Sequence, residues 1–248
     1  MTQMQYSTSV RPSRTALAGL VLAVTAVSLM LAGYAGTSMA LVPMEIGFRL
    51  FLGGVALSFI ALAVSLMGWR LTRQVPGRNR AWAGILISLG IMALMSPFIL
   101  KAFSVPPIHD ITTDTDNPPV FADILPLRAG APNSAEYAGE TLADIQKAAY
   151  PGVAPLISDV PPAEAFARAQ KIIVARGWTL AAANEQEGRL EAVSESKNMH
   201  FKDDVVIRIT ASGEGSRVDM RSLSRFGQSD LGVNAQRIMD FLKDMRAP

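Results

Sequence analysis

Three long apolar runs in the first hundred residues limit this chain more than any other feature. They are "TALAGLVLAVTAVSLMLAGYAG" (Thr15–Gly36), "IGFRLFLGGVALSFIALAVSLMGW" (Ile46–Trp69) and "AWAGILISLGIMALMSPFIL" (Ala81–Leu100). Each is about the length that crosses a hydrocarbon layer roughly 30 Å thick. A backbone without water must pair its polar groups internally, so the runs are expected to be transmembrane helices. Arg49 lies near the start of the second run, where it can snorkel, and Pro97 is placed in the last turn of the third, where a lost amide bond costs least. Small residues at Ala18, Gly19, Gly33, Gly36, Gly53, Gly54, Gly84 and Gly90 allow close helix approach, although such residues are also simply frequent in membrane helices. No acid or histidine lies mid-span, which argues against a proton relay.

Charge gives the runs a direction. Through Leu100 there are seven arginines and one glutamate, a balance of +6, and from Lys101 onward sixteen basic and twenty acidic residues, −4, which together make the net +2. Arg11 and Arg14 precede the first run, and Arg70, Arg73, Arg78 and Arg80 crowd the link between the second and third; the other link holds only Glu45. Short cytoplasmic loops retain arginine, so the N-terminus is expected inside and everything after the third run outside, which in a bacterium means the periplasm. A competing reading takes the first run as a signal peptide cleaved after "TSMA" at Ala40, and it leaves the C-terminal part on the same side. The acidic C-terminal part offers no footprint for nucleic acid, so the expected partners are the lipid bilayer and an envelope protein or an anionic ligand. Cysteine is absent, which removes disulfides, thiolate metal sites and cysteine nucleophiles.

The chain therefore divides into a membrane region (1–100), a proline-rich extended linker with a short helix near Glu140 to Ala149 (101–150), and a folded periplasmic domain (151–248). In the linker, Pro106, Pro107, Pro118 and Pro119 favour an extended path fixed against a surface. Asp110, Asp114, Asp116 and Asp123 lack the glycine and glutamate of a calcium loop and read as turn formers and caps. In the domain, periodicity gives a strand in "VAPLISDV", a helix in "PPAEAFARAQKIIVARG", a hairpin of "WTLAA" and "RLEAVS", and alternating strands "DVVIRIT" and "RVDMRSL" joined by "ASGEGS". A last helix is expected from Leu231 to Met245, with Leu231, Asn234, Ile238, Phe241 and Met245 on one face. The fold class is α+β: three membrane helices, then an antiparallel sheet in the order β-α-β-β-β-β-α with both helices on one face.

Among the polar residues, Asp203, Asp204, Arg221, Ser224, Arg225, Ser229, Asp230 and Asn234 are the candidates for a ligand or interaction site; no cofactor or metal is assigned. Two histidines, His109 and His200, about ninety residues apart and without cysteine, give no zinc cluster. A triad of His200, an acid of the Asp203–Asp204 pair and a serine among Ser222, Ser224 and Ser229 can be written, and the two acids could also work as acid and base. No strained nucleophile turn accompanies them. The simpler account pairs one acid with Arg221 or Arg225. "SDLGVN" can cap the last helix through Ser229 or Asp230, and that helix end beside Arg225 can alternatively hold an anion.

"HFKDDVVIRI", "VDMRSLSRFGQSDLGVNAQRI" and the upstream "PPIHDITTDTDNPPVF" carry a family resemblance. They resemble the bacterial domain of unknown function family 1499 (DUF 1499), with matches at Phe201, Asp203, Asp204, Arg221, Ser222, Ser224, Arg225, Gly227, Ser229, Asp230, Gly232 and Asn234. The resemblance runs from about Pro106 to the end and implies a domain commonly joined to membrane helices, without a settled activity. The resulting expectation is a non-catalytic binding domain for an envelope component; a membrane-tethered hydrolase using the acids and serines near Asp203 and Ser224, or an accessory subunit of a membrane complex, are the alternatives.

Overall fold

A computed structural model describes residues 11–246; residues 1–10 of the expected membrane region and 247–248 of the expected domain lie outside the described residues. The described residues separate into two compact units, residues 11–99 with 197–199, and residues 100–196 with 200–246.

The first unit is built from α1 (Arg14–Ser38), α2 (Met44–Leu71) and α3 (Arg78–Ser104) up to residue 99. All three are long and apolar enough to cross a membrane. Close approach is concentrated at particular glycines. A Cβ at Gly33 would sit 2.4 Å from the Gly47 carbonyl oxygen, one at Gly54 2.6 Å from the Ala26 oxygen, and ones at Gly19 and Gly84 2.4 and 2.3 Å from the Ser65 hydroxyl. Gly53 and Gly90, expected in the same role, face open space. The third helix corrects another expectation, since α3 continues to Ser104 and leaves Pro97 in its interior. Proline cannot donate to the carbonyl four residues back, which is Ala93, and the Ser96 hydroxyl donates to that oxygen instead at 2.9 Å.

The second unit contains β1 (Asp110–Thr112), α4 (Glu140–Ala149), β2 (Leu156–Ser158), α5 (Pro162–Ala175), β3 (Thr179–Asn184), β4 (Arg189–Glu195), β5 (Lys202–Ser212), β6 (Gly215–Ser224) and α6 (Val233–Arg246). The sheet is antiparallel in the order β1-β6-β5-β4-β3, with β2 also paired to β6. From β2 onward the elements follow the expected series. The segment expected to be a linker differs: β1 pairs with Arg221, Ser222 and Leu223, so residues 110–112 complete the edge of the sheet. Thr113 fills the gap between β1 and β2, its amide donating to the Met220 oxygen and its hydroxyl accepting from the Met220 amide, both at 2.9 Å. α6 starts at Val233 because Leu231 and Gly232 both take positive φ, 56° and 81°, which a right-handed helix excludes.

The strand alternation sends two sets of side chains to opposite faces. On one face Val205, Ile207, Ile209, Val218, Met220, Leu190 and Ala192 pack under Phe166 and Ile173 of α5 and Ile238 and Phe241 of α6. The other face holds only a small apolar cluster, Val206 and Leu223 with Phe121 and Ile124. Phe121 and Ile124 belong to the stretch between β1 and α4, which crosses this face as a strap and carries a 3-10 turn at Leu125–Arg128.

Candidate functional site

Asp203 and Asp204 are neighbours in β5, and neighbours in a strand point to opposite faces. Asp203 joins the α6 side and Asp204 the strap side, so they cannot work as paired acid and base. The expected candidates therefore divide into two constellations.

Under the strap, Asp204 is fully buried. It accepts from the Arg225 Nε at 3.0 Å and Nη2 at 2.6 Å, and Arg128 Nη1 stands 3.3 Å away. Burial lowers the Arg128 pKa, with Asp204 acting against that shift. Arg225 also donates to the Leu127 oxygen, and Arg128 to the Asn133 oxygen, both at 2.7 Å, so the same cations hold the strap backbone. Arg221 is gripped by Asp110 through two bonds of 2.9 and 2.8 Å. It donates to the Ala135 oxygen and lies over the rings of Phe121 and Tyr137 at 5.0 and 5.4 Å. Burial, helped by Asp110, pushes the Tyr137 hydroxyl up to about 12. Two further buried acids complete the face. Glu191 accepts from the amides of Ala122 and Ile124 at 2.8 and 2.7 Å and from Arg189, and Asp219 takes Arg208 and Arg217, which reach out to Asp114.

On the α6 face the centre is Asn234. Its Nδ2 donates to the His109 oxygen at 3.0 Å and to the Ser224 hydroxyl at 2.9 Å, and its Oδ1 accepts from the Ser222 hydroxyl at 2.7 Å and from Arg237. An amide side chain has two donors and two acceptor lone pairs, so Asn234 is fully used in joining His109, just before β1, to β6 and α6. Arg237 extends this network to Asp203 at 2.5 Å. Neither histidine ring is bonded to a serine: His109 Nδ1 faces the Gln228 oxygen at 3.2 Å, and His200, at φ 54°, is paired with Glu195 at 2.6 Å. The triad written from the sequence is not assembled.

"SDLGVN" is a helix entry. Asp230 accepts from the amides of Gly232 at 2.8 Å and Asn234 at 2.7 Å, and the Ser229 hydroxyl accepts from Leu231 at 3.2 Å. The carboxylate at this helix start is supplied by the chain itself. Burial raises the Asp230 pKa although both amide bonds pull it down. An acid raised in the folded state contributes stability that is complete below its unfolded value, about 3.9, and is lost as pH rises through the folded value. Asp230→Asn should flatten that part of the urea-midpoint profile against pH. At neutral pH it should cost less than Asp230→Ala, which loses a cap worth about 0.5–2 kcal/mol.

Several residues of these constellations carry only local signals in the sequence: Asp110 reads as a turn former, Glu191, Arg208, Arg217 and Asp219 as strand positions and Arg237 as the polar face of the last helix, while Arg128 gives no signal. One signal was present, since Arg208 and Asp219 stand opposite each other in the β5–β6 register and opposite charges at such positions attract. Among the described residues, no three His, Asp or Glu side chains gather as a metal site.

No curated protein matches the chain. A family model described as protein of unknown function (DUF1499) matches residues 110–245, which contain β1, the strap, the whole sheet and nearly all of α6. The chain belongs to this family.

Proposed function

We propose that this is a three-span bacterial inner-membrane protein, with its N-terminus in the cytoplasm, whose C-terminal domain acts in the periplasm as a non-catalytic binding module for an envelope component. The observation that carries the reading is the strap. Its inner side is locked to the sheet by buried acids and arginines, while Val120, Leu125 and Leu127 on its outer side are exposed. A rigid backbone displaying apolar side chains loses little entropy on binding. The polar residues that a hydrolase would need are already engaged in holding this platform and α6. The arginine-rich link between α2 and α3 supports the cytoplasmic placement of that end.

Two measurements test the reading. A photo-crosslinking residue at position 120, activated in native membranes, should capture a defined envelope component, and Leu125→Ser with Leu127→Ser should abolish capture without lowering the domain's melting temperature. A reporter fused to the C-terminus that works only in the cytoplasm would overturn the topology.

A further inference from the structure

One pole of the helical bundle has a charge arrangement that the chain does not balance. α1 and α3 begin there and α2 ends there, bringing Arg14, Arg70, Arg73, Arg78 and Arg80 to the same end. The segments are tied together: the Ser13 amide donates to the Pro76 oxygen at 2.9 Å, and a Cβ at Gly68 would meet Ala16 Cα at 2.7 Å. The only acid in the first hundred residues, Glu45, lies in the first turn of α2, at the other end of that helix. Both helix starts lack an acid in the first turn and carry arginine instead, where the positive end of the helix dipole favours an anion.

A second observation gives this pole a specific shape. The guanidinium carbons of Arg73 and Arg78 stand 5.8 and 5.7 Å from the centre of the Trp69 ring, and Trp82 meets that ring edge-on at 5.9 Å. The Trp69 Nε1–H is covered and has no acceptor among the described residues. Further along the helices from the arginines Met67 and Leu86 are exposed, as acyl-chain contacts would require, and Leu71 is exposed beside Arg70.

We propose that this pole binds the phosphate of an anionic phospholipid headgroup, held by Arg73 and Arg78 beside the Trp69–Trp82 pair. Guanidinium forks match phosphate oxygens in pairs, and basic pockets at helix ends recruit anionic headgroups. The exposed apolar side chains next to the arginines select a lipid over a free anion. The proposal rests on the three helices spanning a bilayer, and its test keeps the two claims separate.

The full-length Trp178→Phe protein, which retains Trp69 and Trp82, is placed in phosphatidylcholine nanodiscs containing an equal small fraction of brominated phosphatidylglycerol or brominated phosphatidylcholine. Tryptophan quenching should be stronger with the anionic lipid. The preference should fall about fivefold for each arginine removed in Arg73→Gln and Arg78→Gln, and be partly kept in the Arg73→Lys, Arg78→Lys double variant. Equal quenching by both lipids overturns the headgroup site and leaves the spans standing. No quenching by either overturns the membrane reading and the site with it. Loss of the preference on adding millimolar inorganic phosphate shows a general anion site and overturns the lipid assignment.

Discussion

Asp204→Ala lowers the stability of the C-terminal domain by about 3–5 kcal/mol, the loss expected when one partner is removed from a buried ion pair. The carboxylate is fully buried and holds both Arg225 and Arg128, so its removal leaves two cations facing an empty acceptor site. Both cations also fasten the strap backbone, at Leu127 and Asn133, and the strap should loosen in the same step. The measurement is urea unfolding of the full-length protein in detergent, followed by Trp178 fluorescence with Trp69 and Trp82 replaced by Phe. Trp178 stacks on the buried Phe241 at 5.9 Å and so reports the core. A cost below about 1 kcal/mol is the value for a surface pair and would refute the buried placement.

Arg221→Met has an effect of similar size, about 3–5 kcal/mol, for the opposite charge. It leaves Asp110 buried without its two guanidinium bonds and removes the cation between Phe121 and Tyr137. Arg221→Lys should recover little, because an ammonium cannot make the forked pair or stack as a plane. Adding Asp110→Asn to Arg221→Met removes the stranded charge, so the double variant should be more stable than the sum of the two single losses implies. Strict additivity in that cycle would show that the two side chains do not act as a pair.

The parts of this fold that were legible in the sequence are those whose signal is local. A run of apolar residues of bilayer length has few alternative structures, and the alternation in "DVVIRIT" and "RVDMRSL" gives strands whatever lies above them. β1 has no such signal: three residues between prolines become a strand only because β6 offers them an edge. The charged face of the sheet was hidden for a related reason. Glu191, Asp204, Asp219 and Arg221 occupy alternate positions that in most sheets face water, and only the strap, brought in from far away in sequence, buries them. Asp203 and Asp204 looked like one site because sequence adjacency does not display the two faces of a strand. The helix-capping use of Asp230 was legible, since caps are read within a turn; the saturation of Asn234 was not, because its partners come from His109 ahead of β1, from β6 and from α6.

The position of β1 also sets a schedule for assembly. It follows α3 after only residues 105–109, yet it pairs with β6, and its Asp110 waits for an arginine 111 residues further along. Such distant closure is slow, because the loop must be ordered before its contacts are gained. During synthesis the edge of β1, the strap's amides and several lone acids stay exposed until the late strand arrives. A chain interrupted before Leu223 would lack β1's partner strand and remain open to proteases, so the domain's integrity is itself a record that synthesis passed the late strand.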